Sequence, residues 1–145
     1  MNFVKFNITK SRLWLCLPII AADILDGTET LLGQPSEYWN GSHNLVNEFN
    51  PMAHWFMTTH PAALFIYVVP DFLTVSILIM VVPLTLAKTL SVFWTISGAI
   101  GLYNWLAGPL HMGWWISNIV TLIPAIILVY ALDKASVEKV HVNSQ

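Results

Sequence analysis

Four long apolar stretches run through the chain, separated by short polar breaks and one long polar segment. The first covers residues 13–32 and is interrupted by Asp23, Asp26 and Glu29. The second covers 62–86 and contains Pro70-Asp71 and Pro83; the third covers 89–107 and the fourth 114–132. A membrane-crossing helix needs ~20 mostly apolar residues. The pattern therefore predicts an all-α integral membrane protein, a four-transmembrane-helix bundle in one membrane domain. A few residues around Lys88 join the second and third stretches, which predicts an antiparallel hairpin there. The clean apolar core of the first stretch is only residues 13–25, which leaves a tilted or re-entrant helix as the alternative for that segment.

The polar segment 33–61 has its own signals. Asn50-Pro51 reads as a helix N-cap followed by proline at the first helical position. A short interfacial helix over 51–59 is expected to follow, and His60-Pro61 repeats the signal before the second span. Asn40-Gly41-Ser42 fits either a plain turn or a glycosylation acceptor. The polar tail, 133–145, is expected to be frayed or weakly helical.

Charge adds orientation. The six basic residues are Lys5, Lys10, Arg12, Lys88, Lys134 and Lys139. With four spans all of them fall on one side, so the positive-inside bias predicts both termini in the cytoplasm and insertion in the cell membrane. The 33–61 loop is then extracytoplasmic. Aromatic residues agree: Trp39, Trp55, Tyr103, Trp105, Trp114 and Trp115 gather toward the outer interface, and Trp14 and Tyr130 toward the inner one. Ser97-x-x-x-Gly101, with Gly98, places small residues where helices pack closely. Ala21-Ala22-Asp23 is a poor cleavage site, so the first stretch is expected to remain as a helix.

Composition sharpens the class. The chain has 145 residues, of which 56% are hydrophobic and 10% charged. Soluble domains carry roughly 25% charged residues. A net charge of −2 gives no basis for a nucleic-acid partner; the expected partners are the bilayer and either other membrane subunits or further copies of the chain. The single cysteine, Cys16, cannot form an intrachain disulfide and is expected to be packed or lipid-facing.

The candidate chemistry is acidic. Asp23, Asp26, Glu29, Glu37, Glu48 and Asp71 all fall in the outer half, as do His43, His54, His60 and His111. Asp23 lies ~14 Å below the outer end of the first span and Asp71 ~15 Å below the start of the second, near the middle of the hydrocarbon core. Asp23, Asp26 and Thr30 share one helix face. A carboxylate at that depth needs a partner, a cavity or an ion. Two close carboxylates share a proton, bind a cation or open to water. Asp23, Asp26 and Asp71 are therefore the candidate catalytic residues, with Asn50, Asn104 and Asn118 in support. If a divalent metal is held, its candidate ligands are Asp23, Asp26, Glu48, His54, Asp71 and His111, a donor set suited to zinc, iron or manganese before copper. The run from Met52 to His60 carries copper-type donors, which His111-Met112 could join. The alternative is that the acids only make hydrogen bonds that specify the bundle.

Asp23-x-x-Asp26-Gly27-Thr28 in the first span, Leu32-Gly33 after it, and Asn47-Glu48-x-Asn50-Pro51 in the loop resemble a family of small prokaryotic polytopic membrane proteins of uncharacterised activity. The resemblance covers about residues 21–55. It implies that Asp23, Glu48, Asn50 and Pro51 belong to one site. This chain departs from the pattern in having Asp26 and a longer outer loop. Three classes of function remain open: a membrane enzyme or ion-binding protein acting on a lipid-like substrate at an outward acidic site, an accessory subunit of a larger membrane complex, and a small oligomeric transporter.

Overall fold

In the computed structural model, residues 9–142 are described, with side chains to residue 136. Lys5, the side chain of Lys139 and the last three residues of the tail lie outside these. Six α-helices follow in chain order: α1 (Lys10–Leu32), α2 (Ser36–Trp39), α3 (Pro51–Met57), α4 (Ala63–Val81), α5 (Leu84–Ala107) and α6 (Gly113–Val142). A short 3-10 turn, His43–Leu45, separates α2 from α3. No strand occurs among the described residues. Three helices are long and apolar enough to cross a membrane: α4, α5 and α6 up to Ser136. The first helix is as long as these but falls outside that group, because it carries Lys10, Arg12, Asp23, Asp26 and Glu29.

That polar helix is the central one. It packs along α4, α5 and α6, while α5 also lies against α4 and α6. Its contact with α5 is close because α5 turns a row of small residues toward it. Ala87, Ser91 and Thr95 are buried on that face, and Gly98 and Gly101 continue it. Ser91 Oγ donates to the Leu15 carbonyl of α1 at 2.7 Å. Ser97 turns away and bonds the Phe93 carbonyl of its own helix. The close-packing pair is thus Gly98 and Gly101, not Ser97 and Gly101 as the spacing suggested. On α6, Ser117, Pro124 and Ala131 repeat every seven residues and are all buried, with Ala135 one turn on. A seven-residue repeat keeps one seam facing its partner.

The outer faces are the reverse. Phe65, Ile66, Leu73 and Ile77 of α4, Phe93, Ile96 and Ile100 of α5, and Ile119, Leu122, Ile126 and Val129 of α6 are exposed. Even α1 exposes Leu13, Leu17 and Ile24. Small and polar residues inside with large apolar residues outside is the arrangement a bilayer favours, since lipid leaves no hydrophobic drive between helices.

Several boundaries differ from the sequence pattern. The second helix ends at Val81 rather than continuing to residue 86. Pro83 has no N–H, and the residue before it is pushed out of the helical region; Val82 is extended at φ −79°, ψ 164°. α5 begins at Leu84, so Lys88 sits inside it and donates to Ser136 Oγ at 2.7 Å instead of marking a loop. At the other end, of the two expectations for the tail, the described part is helical: α6 runs on to Val142. The interfacial helix is shorter than expected, ending at Met57.

Pro83 also leaves the Ile79 carbonyl without its helical donor. Arg12, buried at 7% exposure, reaches across from α1 to fill that gap. Its Nη1 donates to the carbonyls of Ile79 and Val82, the latter at 2.7 Å. A cation at a helix C-terminus is favourable for the dipole as well. Around the Arg12 end of α1, Leu15, Cys16, Ile19, Val75, Ile79, Ala87 and Ala135 form one apolar core; of the two expectations for Cys16, packed or lipid-facing, it is the packed one. Trp105 departs from the expected belt. It is buried, and its indole lies where a Cβ on Gly33 would come within 2.5 Å. Trp39, Trp55, Trp114 and Trp115 remain exposed.

Replacing Arg12 by Leu is expected to lower unfolding stability by about 1–3 kcal/mol, because two carbonyls lose a charged donor. Arg12→Lys, which keeps the charge but not the planar fork, is expected to fall between them. Reversible unfolding in mixed micelles measures both.

Candidate functional site

The outer half of α1 presents three acids within two helical turns, and their neighbours come from α4, α5 and the loop. Asp23 Oδ1 lies 3.7 Å from the position a Cβ on Gly98 would take. Asp26 is closer still to α5: its Oδ1 would be 2.6 Å from a Cβ on Gly101. The two glycines therefore let the carboxylates lie directly against the backbone of α5. Asp23 and Asp71 act on each other electrostatically across the α1–α4 contact, and Asp26 interacts with both Asp23 and Glu48. Asp71 is held from the other side by α5, where Trp94 Nε1 donates to its Oδ2 at 3.1 Å. Asp23 Oδ2, Asp26 Oδ1 and Glu29 Oε2 are buried with no hydrogen-bond partner among the described residues.

The loop closes the top of this region through backbone bonds. Gln34 follows the end of α1. Its Nε2 donates to the Thr30 carbonyl at 2.7 Å and the Asn47 carbonyl at 2.8 Å, and its Oε1 accepts from Asn47 N–H at 2.7 Å. This fixes Glu48 over the outer end of α1. Asn50 caps α3 as its sequence predicts, with Oδ1 accepting from the N–H groups of Met52 and Ala53. Its Nδ2 donates to Tyr67 Oη at 2.9 Å, tying the cap to α4. Glu48 Oε1 accepts from Asn50 N–H at 2.6 Å. His54 Nδ1 lies 3.2 Å from the Glu48 carbonyl oxygen. Tyr38, fully buried, donates from its hydroxyl to the Met57 carbonyl at 3.1 Å, which anchors the far end of α3.

Not every candidate converges. His111 is exposed, at φ 51° in the turn before α6, beside a shallow depression with Gln34 and Asn47. Asn118 donates its amide to the Trp114 carbonyl of its own helix. Asn104 is exposed at the outer end of α5. Among the described residues no three His, Cys, Asp or Glu side chains stand close enough together to hold a metal ion. The six candidate ligands thus separate into the Asp71–Asp23–Asp26–Glu48 series, His54 on the loop, and His111 apart. The Met/His run separates too, since Met57 is buried in the loop core while Met52 and His60 face outward. Trp94 was missed by motif reasoning. A tryptophan in the middle of a span needs a partner for its N–H, and that is the signal that leads to Asp71.

Comparison with protein-family models, curated proteins and solved structures gives no match. The site itself is all that bears on function.

Two consequences can be measured. Gly101→Ala forces a methyl into Asp26 and is expected to cost about 1–3 kcal/mol by overpacking, whereas Gly27→Ala, where a Cβ meets nothing within 4 Å, is expected to be neutral or stabilising by up to about 1 kcal/mol; unfolding curves of the two variants compare them. Burial pushes the Glu48 carboxyl above its ordinary range, partly offset by the N–H groups of Asn50 and Phe49 and by His54. A carboxyl raised on folding binds its proton more tightly in the native state, so its contribution to stability falls as pH rises from the unfolded value through the raised one. Glu48→Gln removes that dependence and keeps an acceptor for Asn50. Its stability relative to wild type is therefore expected to increase between acidic and neutral pH; a constant difference across that range would contradict this.

Proposed function

We propose that the chain is a four-span protein of the cell membrane, with both termini cytoplasmic, whose outward-facing carboxylates hold a shared proton. What supports the fourth span is the position of α1. A helix covered by three membrane-type helices, and apolar on its remaining exposed face, can cross lipid although its composition is polar. All described basic side chains lie toward the same end of the bundle in this arrangement. The resemblance to small polytopic prokaryotic proteins points the same way: it groups Glu48 and Asn50 with Asp23, and Asp26 links the two electrostatically.

The observation that supports the reading is that Asp23 lies within electrostatic reach of Asp71, with a buried Asp23 oxygen that has no partner among the described residues. In low dielectric two facing carboxylates retain a proton between them. Asp26 and Glu48 continue the acidic series to the outer loop, giving protons a route from the outside. No such route continues inward, because the apolar core from Leu15 to Ala135 lies beneath the pair. This favours a site that binds and exchanges protons on one side over a conducting transporter. Such a pair can serve as acid and base for a substrate arriving from the membrane, with Asp23 and Asp71 in the catalytic roles and Asp26 supplying protons. A metal-dependent version has weaker support, because the imidazoles stand apart from the carboxylate pair.

Infrared spectroscopy of the protein in bilayer nanodiscs tests the shared proton. The wild type is expected to show a protonated-carboxyl C=O band at neutral pH that shifts in deuterium oxide and is lost in both Asp23→Asn and Asp71→Asn. A spectrum without the band, or one unchanged by both substitutions, would sink the reading.

A further inference from the structure

His60-Pro61 leads into α4 as Asn50-Pro51 leads into α3, with one difference. Asn50 accepts from the N–H groups of Met52 and Ala53 through an amide oxygen. His60 accepts from the Ala62 N–H through Nδ1 at 3.0 Å, and its carbonyl takes the Ala63 N–H at 2.9 Å. An amide oxygen accepts at any pH. An imidazole nitrogen accepts only in the neutral ring, because both nitrogens of the imidazolium are donors. The bond to Ala62 therefore requires His60 to be neutral, with its proton on Nε2. A second imidazole stands against it. The His43 ring, from the 3-10 turn, meets His60 edge to face with 6.1 Å between centroids.

Acid opposes this arrangement in three ways. Protonation of Nδ1 sets a donor against the Ala62 N–H. It also puts a cation at the N-terminal end of α4, where the dipole favours anions. Protonation of His43 as well places two like charges side by side. The other titratable groups nearby do not relieve this. Tyr38 faces His43 at 5.2 Å, but its phenol donates to the Met57 carbonyl and burial pushes it up, so it stays neutral. On α2 Glu37 is bonded to Ser36, on α3 His54 turns to the Glu48 carbonyl, and on α4 Tyr67 is bonded to Asn50. Among the described residues neither imidazole has a carboxylate in ion-pair contact. We propose that His60 and His43 form an acid-released clasp at the α3–α4 corner, closed while both rings are neutral and opened by their protonation. Imidazole is the side chain that ordinarily changes charge between about pH 5 and 8. The open corner takes up protons that the closed one excludes, so closure is complete on the alkaline side of that window and is lost as pH falls through it. The Tyr38–Met57 and Asn50–Tyr67 bonds do not titrate there, which confines the release to the corner. The clasp does not rest on the shared proton of the acidic site.

Amide hydrogen exchange of the full chain in bilayer nanodiscs tests the clasp, with each rate divided by the intrinsic rate at that pH. Between about pH 8 and pH 5 the wild-type Ala62 amide is expected to lose protection about fivefold, the population change to which one helix cap corresponds. Met52, under the Asn50 cap, is expected to keep its protection. His60→Asn rebuilds the Asn-Pro cap that Asn50-Pro51 already provides in this chain, and it is expected to hold Ala62 protection constant. His43→Phe keeps a ring against His60 and is expected to show a smaller fall than the wild type. Constant Ala62 protection in the wild type, a fall of wild-type size in either variant, or a parallel loss at Met52 would each overturn the proposal.

Discussion

The close approach of α1 and α5 is the contact on which the rest depends. A helix with two cations and three acids is the worst of the four to leave in hydrocarbon, where a single charge costs at least ~2.5 kcal/mol. The fold wraps it. Ala87, Ser91, Thr95, Gly98 and Gly101 remove bulk from α5 so that the backbones can meet, and α6 covers a further face with Ser117, Pro124 and Ala131. Because the approach is close, Asp23 and Asp26 are pressed onto glycine backbone rather than onto water or a cationic side chain. The same geometry that hides the acids leaves their oxygens short of donors.

The division of α1 into two halves follows from its partners. Along its N-terminal half it meets large apolar side chains, Val75 and Ile79 among them, and its one buried cation there, Arg12, caps α4. Toward the outer side it meets glycines, Asp71 and a loop pinned by Gln34 and Asn50. Polarity therefore has an opening at one end only. The loop is no passive cover. Tyr38, Met57 and Leu64 give it a core of its own, continuous with the top of α4.

Much of this was legible in the residues. Spacing alone suggested that Asp23 and Asp71 could meet, and in the structure Asp71 lies within electrostatic reach of Asp23. Asn50-Pro51 announced its cap because both the side-chain acceptor and the missing N–H are local properties. Pro83 was misplaced because hydropathy is blind to it: residues 82–86 are as apolar as the helix before them, and only the proline's missing N–H ends it. Trp105 and Trp114 are indistinguishable by composition, and whether an indole meets lipid or Gly33 depends on which face the packing selects. His54 and His111 looked equally able to join the acids. Their separation comes from the path of the backbone, the left-handed conformation at His111 included, which a list of donors does not contain.

Arg12 has a history as well as a position. It precedes Ile79 and Val82 by 67 and 70 residues, so during synthesis α1 emerges long before the carbonyls that its guanidinium will cap. Until then the guanidinium has no carbonyl of α4 to meet. When α4 arrives and Pro83 breaks it, the same charge is withdrawn into the bundle. The side chain is thus a latch, and it closes only after α4 and its Pro83 break have been made.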